Sequence, residues 1–145
     1  TSWLYGPGGK NFVETILRLA GEREELRIVA DQHGSPTYTE DLANAISSLL
    51  EIEDAQRPYG IYHVSNSGSC SWYEFAVEIV RLARLNKLPI KVERIIPIST
   101  EDFPLPAKRP SYSVFSKQKY ETITGQIMPE WRESLIKYFA VRQTL

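Results

Sequence analysis

The segment that begins at Ser71 constrains the fold more than any other, because it encodes both the start and the buried face of a helix. Ser71 precedes Glu74 by three residues, the spacing of a capping box, in which each side chain accepts a hydrogen bond from the other residue's backbone N–H. Apolar residues then recur at helical spacing, namely Phe75, Ala76, Ile79, Val80, Leu82 and Ala83. This pattern predicts an amphipathic helix whose apolar stripe packs against a core.

Three more segments show helical periodicity, each near a residue that can begin a helix. The first predicted helix runs from its N-cap Asn11 to about Arg23, and the second runs from its cap Thr39 to about Leu50. A third, short helix runs from its cap Ser116 toward Ile123 and ends near Gly125. A last helix follows Pro129, with Trp131, Leu135, Ile136 and Phe139 on its buried side.

Short β-branched stretches separate these helices. Strands are predicted at Leu26–Ala30, at Ile61–Val64 after a turn at Pro58–Gly60, and at Val92–Ile98. Prolines from Pro97 to Pro110 predict an irregular segment that packs across a neighbouring surface. Helices that alternate with short strands indicate an α/β fold.

Composition excludes several classes of function. The 17 basic and 18 acidic side chains nearly cancel, so no nucleic-acid partner is expected. No apolar run approaches the ~18 residues of a membrane span, and no signal peptide is visible, so we expect no membrane partner. The single cysteine, Cys70, cannot form an internal disulfide, which is compatible with a cytoplasmic location. His33 has no spaced carboxylate or cysteine partner, so no metal site is predicted.

The sequence carries no recognisable catalytic machinery. A nicotinamide cofactor requires a glycine-rich turn between a strand and a helix, and Gly6-Pro7-Gly8-Gly9 does not fit that pattern. A short-chain reductase also needs a tyrosine followed four residues later by a lysine, which lowers the pKa of the phenol. None of the eight tyrosines has a lysine at that position. Either the protein is not an enzyme, or its catalytic half is missing.

Several motifs nevertheless occur together and in one order. The most specific are Thr1-Ser2-Trp3-Leu4-Tyr5-Gly6, Asp31-Gln32-His33-Gly34-Ser35-Pro36-Thr37 and Ser71-Trp72-Tyr73-Glu74-Phe75-Ala76. Weaker ones are Lys10-Asn11-Phe12, Ile61–Val64, Lys108-Arg109-Pro110 with Ser113, and Trp131–Leu135. Together they resemble the C-terminal, substrate-binding portion of dTDP-4-dehydrorhamnose reductases, a branch of the extended short-chain dehydrogenase/reductases.

The resemblance implies the C-terminal part of a Rossmann-like fold, with residues 1–145 forming the substrate-binding portion. The family reduces dTDP-4-dehydro-rhamnose to dTDP-rhamnose with NADPH, NADH being the other candidate. It implies an NADPH-binding Rossmann portion upstream of Thr1, which fits a chain that lacks a starting Met and begins at the end of a strand. The fragment alone is therefore expected to be inactive and not to bind the cofactor tightly. Exposed apolar surface where the missing portion packed makes homodimer formation an open expectation.

Trp3 and Arg109 are the first candidate substrate-binding residues. Trp3 follows a strand end, where doubly wound folds bind ligands, and the motif assigns it to the substrate. The guanidinium of Arg109 matches a diphosphate bidentately, and Lys108 is a weaker second cation. By the same resemblance, the backbone at Thr1 and Ser2 lies near the nicotinamide.

Asn11 and Thr37 are further candidates for contacts with the substrate. Helix capping alone explains Asn11 adequately, so a purely structural role and a contact with the substrate both stay open. Thr37, with Gly34 and Pro36, is expected to shape a loop at the cleft, and Gln32 is a similar candidate. His63 is expected to be a buried, hydrogen-bonded residue within its strand, and Cys70 to be unreactive.

Two alternatives to the reductase remain at this point. One is a non-catalytic protein on the same fold, such as the regulatory subunit of methionine adenosyltransferase. The other is a different NAD-dependent sugar-nucleotide enzyme, an epimerase or a dehydratase, which the tryptophan of the first motif disfavours.

Overall fold

The computed structural model describes residues 1–53, 59–104 and 106–142. Within these ranges the helices are α1 (Phe12–Glu22), α2 (Thr39–Leu50), α3 (Trp72–Leu85), α4 (Gln118–Thr124) and α5 (Trp131–Arg142). The strands are β1 (Leu4–Tyr5), β2 (Glu25–Val29), β3 (His33–Gly34), β4 (Thr37–Tyr38), β5 (Cys70–Ser71) and β6 (Arg94–Ile98). Helices alternate with short strands, so the predicted α/β architecture is confirmed.

The described strands associate in pairs. β1 lies parallel to β4, β2 lies parallel to β6, and β3 lies antiparallel to β5. The β2–β6 pair is the longest, with Glu25 opposite Arg94 and Val29 opposite Ile98. The other two pairs place the ends of the Asp31–Tyr38 loop beside the start of the chain and beside the start of α3.

The main core lies between α1, α3 and α5. Phe75 and Ile79 from α3 meet Val13 and Ile16 from α1, and Trp131 closes the core from α5. All six residues of the apolar stripe predicted for α3 are buried. The core thus consists of the residues that helical periodicity selects.

Two helix starts follow the sequence prediction closely. The Ser71 side chain accepts a hydrogen bond from the Glu74 backbone N–H, and the Glu74 carboxylate accepts one from the Ser71 N–H, at 3.1 and 2.7 Å. Asn11 caps α1 by accepting from the Glu14 N–H at 3.1 Å. Both caps satisfy backbone donors that the first turn of a helix leaves free.

Two other predicted caps and one residue of the predicted buried face of α5 are wrong, whereas Trp131, Leu135 and Phe139 of that face are buried as predicted. Thr39 is the first residue of α2, whose N-cap is Tyr38, and Lys117 rather than Ser116 caps α4. The left-handed Gly125 does end α4 as expected. On α5, Ile136 is exposed, and the buried positions include Ser134 and Tyr138 instead. A polar network with α2 takes the place of an apolar contact at Ser134.

The extended segments were predicted less well. Residues 61–64 form no strand, and Pro58, assigned to the preceding turn, lies outside the described residues. His63 is therefore exposed and not buried, and its ring stacks on Phe115 with centroids 4.7 Å apart. Pro97 lies within β6 rather than interrupting it, because β6 has only one neighbour among the described strands and does not need every N–H.

None of the described helices combines the length and the hydropathy that a bilayer span requires.

Candidate functional site

An aromatic stack stands at the start of the chain. The indole of Trp3 stacks on that of Trp72, with ring centroids 3.5 Å apart and planes inclined by 12°. Trp72 in turn contacts Phe12, at 4.5 Å between centroids. Three elements that are distant in sequence, the β1 entry, α1 and α3, thus place their aromatic rings together.

Two adjoining cavities open beside this stack. The first, of about 290 Å³, has an apolar wall that includes Phe12, Trp72 and Phe103, and Arg27 and Arg109 are among its polar lining residues. The second, of about 260 Å³, is lined by Thr100, Lys108, three residues of the proline-rich segment and again Arg109. Gln32 and Phe103 also border both cavities. Arg109 therefore lies where the two cavities meet, and Lys108 lines the second of them.

The basic side chains around the cavities are free to bind a ligand. Arg27, Lys108 and Arg109 are exposed, and none has an ion pair or side-chain hydrogen bond within the described part of the chain. Two guanidinium groups and an ammonium group beside an aromatic wall suit a ligand with both anionic oxygens and a flat apolar part. A nucleoside diphosphate has this composition.

The segment from Ser99 to Ser113, here called the rim segment, is fixed at both ends to the Asp31–Tyr38 loop. The Thr100 backbone N–H and hydroxyl donate to the Asp31 carboxylate at 2.9 and 2.7 Å. These two hydrogen bonds hold the pKa of Asp31 below its usual value, and the one from the Thr100 backbone N–H has the larger effect. At the far end, His33 N–H donates to the Ser111 carbonyl at 2.8 Å, and Ser113 N–H donates to the His33 carbonyl at 2.9 Å. These contacts place Lys108 and Arg109 beside the cavities.

The other candidate residues hold the site rather than line it. Thr37 is fully buried, accepts a hydrogen bond from the Thr1 hydroxyl at 3.1 Å and donates to the Ser2 carbonyl at 2.7 Å. The Ser2 hydroxyl donates to the Ser35 carbonyl at 2.8 Å. Asn11 donates to the Gly6 carbonyl at 3.0 Å in addition to capping α1. Thr37, Asn11 and also Trp3 lie outside the lining of the two cavities, and Trp3 reaches the first cavity only through its stack on Trp72.

The ionisable side chains near the core are unsuited to acid–base chemistry near neutral pH. Burial is the main cause that raises the pKa of Tyr38 to about 12, and it also raises the pKa values of Tyr5 and Tyr138. A catalytic tyrosine needs a shift in the opposite direction. Burial likewise raises the pKa of Cys70, which keeps the thiol protonated. Among the described residues, no group of three or more histidines, cysteines and carboxylates is placed to hold a metal ion.

Sequence reasoning missed part of this site. Arg27, Phe103 and Trp72 all border the first cavity, yet only Trp72 lies in a motif quoted for its pattern. Arg27 alternates with buried Leu26 along β2, a signal that it faces out but not that it faces a cavity. No motif or periodic pattern in the sequence singles out Phe103. Its place at the cavity depends on contacts between residues about 70 positions apart.

Comparison with known proteins gives the fold its context. The solved dTDP-4-dehydrorhamnose reductase from Bacillus anthracis strain Ames, in complex with NADP, superimposes with a TM-score of 0.84 at 46% identity, covering 96% of this chain and 46% of that one. This likeness defines the class as an extended α/β reductase fold. Residues 1–143 match the family described as RmlD substrate binding domain, so the chain belongs to that family.

Two curated relatives extend the comparison. The chain is 47% identical over 144 residues to the spore coat polysaccharide biosynthesis protein SpsK of Bacillus subtilis strain 168, covering 99% of this chain and 47% of that protein. It is 40% identical over 139 residues to the dTDP-4-dehydrorhamnose reductase of Burkholderia thailandensis, covering 91% of this chain and 47% of that protein. The chain thus spans about half the length of the curated relatives it matches.

Proposed function

We propose that the chain is the substrate-binding portion of an NADPH-dependent reductase that converts dTDP-4-dehydro-rhamnose to dTDP-rhamnose. The observation that carries the proposal is the position of Arg109, an unpaired guanidinium that borders both the aromatic-walled cavity and the adjoining cavity lined by Lys108. Membership of a substrate-binding family and relatives named as this reductase support it. The name of the Bacillus subtilis relative, a polysaccharide biosynthesis protein, agrees with a product used for surface polysaccharides.

In this proposal each end of the substrate meets a different part of the site. The fork of Arg109 binds the diphosphate through two parallel hydrogen bonds, and Lys108 adds a second positive charge. The apolar wall that includes Phe12 accepts the thymine and deoxyribose. Trp3, on the other side of Trp72, contacts the sugar to be reduced.

The two residues expected beside the nicotinamide, Thr1 and Ser2, are already engaged in hydrogen bonds within the described part of the chain. The Ser2 hydroxyl and carbonyl are both hydrogen-bonded within the chain, and Thr1 is engaged with Thr37. No lysine follows a tyrosine at the catalytic spacing. We therefore propose that an NADPH-binding portion precedes Thr1 in the full-length gene product, with the backbone of Thr1 and Ser2 beside the nicotinamide. NADPH would supply the hydride, and the proton donor would belong to that portion.

NADPH oxidation tests this function. The full-length gene product should consume NADPH when given dTDP-4-dehydro-rhamnose, whereas the chain of residues 1–145 should not. A parallel assay with NADH separates the two cofactors. Turnover by the isolated chain would contradict the assignment of the catalytic groups to a preceding portion. A full-length product with no turnover on this substrate would refute the reductase.

The alternative functions receive less support. A dTDP-glucose 4,6-dehydratase shares the fold at 14% identity, which speaks for the architecture and not for the reaction. We also propose a cytoplasmic location, where sugar nucleotides are made. In addition we propose a homodimer, which analytical ultracentrifugation checks.

A further inference from the structure

The backbone at Trp3 adopts a conformation that few side chains accept. Its φ angle is 47°, in the left-handed region, where a bulky residue is strained. Two hydrogen bonds to Thr37 stabilise this strained backbone. The Trp3 carbonyl accepts from the Thr37 N–H at 3.2 Å, and the Ser2 carbonyl accepts from the Thr37 hydroxyl. This backbone conformation aims the indole at Gly34 and Trp72 rather than along the strand.

Because Gly34 has no side chain, the Trp3 indole can lie directly against its backbone. A Cβ atom added at Gly34 would lie 2.6 Å from Cε2, 2.7 Å from Cζ2 and 2.9 Å from Nε1 of Trp3. Real Cβ atoms do not approach ring atoms so closely, and all three atoms belong to the rigid indole of Trp3. The φ of Gly34 is not positive, so its lack of a side chain matters here for space and not for conformation.

Trp72 holds the indole by stacking and also reaches the first cavity. It is the first residue of α3, where the capping box and the pairing of β3 with β5 fix the backbone. One ring contact joins it to Trp3 and another joins it to Phe12, whose ring stacks on Phe75 in the core. Trp72 therefore links a half-exposed residue to the packed interior.

We propose that Trp72 is a positioning residue for the substrate: with Gly34 opposite, its ring fixes the indole of Trp3 at the sugar end of the site. The inference rests on the proposed function, in which Trp3 contacts the sugar. It assigns to Trp72 no contact with the reacting atoms. Its consequence is that loss of the stack should weaken use of the sugar nucleotide while leaving the cofactor unaffected.

Steady-state kinetics of the full-length gene product test the proposal with three variants. Trp72→Ala should raise the KM for the sugar nucleotide about tenfold, the size of an aromatic pair interaction, with the KM for NADPH unchanged. Trp72→Phe retains a stacking ring and should recover most of the loss. Tyr73→Ala removes an aromatic side chain from the same helical turn and should leave both KM values unchanged. Thermal unfolding of each variant confirms that it is folded.

An NMR signature reports on the stack directly. The Trp3 indole N–H signal, assigned by its loss in Trp3→Phe, should shift in Trp72→Ala because the ring current of Trp72 is gone, and should shift in Gly34→Ala because the ring is displaced. An unmoved signal, an unchanged KM in Trp72→Ala, or an equal defect in Tyr73→Ala would overturn the positioning role.

The two proposals fail in different ways. If the full-length product lacks reductase activity, the proposed function is refuted, and the Trp3 indole signal of Trp72→Ala still tests the positioning role. A shift of that signal relative to the wild type would support the role, and an unmoved signal would overturn it.

Discussion

The helices and the cavity side of this chain are built on opposite principles. Between α1, α3 and α5, rings such as Phe75 and Trp131 are completely buried. Along the rim segment, every described residue from Glu101 to Tyr112 is exposed, Arg109 included. In the first region the side chains pack against one another, and in the second the basic side chains are unpaired and can contact a ligand. Substitutions in the two regions should therefore change different quantities, stability in one and ligand binding in the other.

The largest effect is expected from Phe75→Ala. Phe75 is fully buried and contacts the rings of Tyr5, Phe12 and Trp131. Removing it leaves a cavity that should lower the free energy of unfolding by about 4 kcal/mol, measured by urea denaturation. Val77→Ala, at a 38% exposed position of the same helix, should cost under about 1 kcal/mol. Similar losses in both variants would contradict the assignment of the core.

Asn66→Ala tests whether the buried polar network belongs to the stable region. The Asn66 side chain accepts from the Tyr38 N–H at 2.8 Å and donates to Asp41 at 2.7 Å and Ser134 at 2.9 Å, with all these groups buried. Without it, buried partners lose hydrogen bonds, and the free energy of unfolding should fall by about 3 kcal/mol. Ser47→Ala on the exposed face of α2 is the control. A loss under about 1 kcal/mol would show that water replaces the amide.

Arg109→Ala should separate binding from stability. The KM for the sugar nucleotide should rise about ten- to a hundredfold, as expected for a charge-assisted hydrogen bond to phosphate, while the KM for NADPH changes far less. The free energy of unfolding should stay within about 0.5 kcal/mol of the wild type. Arg94→Ala removes an exposed arginine that pairs with Glu25 outside both cavities and should leave the KM unchanged. An unchanged KM in Arg109→Ala would remove Arg109 from the site.

The smallest effect concerns the link between α1 and α5. The Glu14 carboxylate accepts hydrogen bonds from Arg142, at 2.7 Å to Nε, and from the Tyr138 hydroxyl. Arg142 is the main cause that lowers the pKa of Glu14. Because the folded pKa lies below the unfolded one, this contribution is present above about pH 4.3 and is lost as the pH falls through the folded value.

Glu14→Gln should therefore reduce stability by up to about 1 kcal/mol at pH 7, a small figure because the pair is one-third exposed. Unfolding curves at several pH values provide the measurement. The difference between variant and wild type should shrink on acidification. A difference that grows toward low pH would contradict the direction of the shift.

Sequence predicted the helices far better than the strands. The α3 stripe and the caps at Ser71 and Asn11 are local patterns, and each was confirmed. The two-residue strands β3, β4 and β5 are set by partners far along the chain, so no local pattern marks them. The strand predicted to end before Trp3 is wrong in position, because β1 follows Trp3 at Leu4–Tyr5. The Ile61–Val64 stretch shows the converse error, because strand-like residues there find no pairing partner within the described chain.

For the site, sequence predicted chemical roles more readily than positions. The Lys108-Arg109-Pro110 motif pointed to an anion site, and the structure places both cations at cavities. Whether they bind the diphosphate stays a prediction. The stack of Trp3 on Trp72 could not be foreseen, because 69 residues separate the two rings, and the β1–β4 and β3–β5 pairs are both needed to bring them together.

Calorimetric titration of the full-length gene product with dTDP tests most directly whether the cavity side is a sugar-nucleotide site. One dTDP should bind per chain, at least tenfold more weakly in Arg109→Ala and unchanged in Arg94→Ala. Absence of dTDP binding by the wild-type protein, or equal affinity in wild type and Arg109→Ala, would contradict the account.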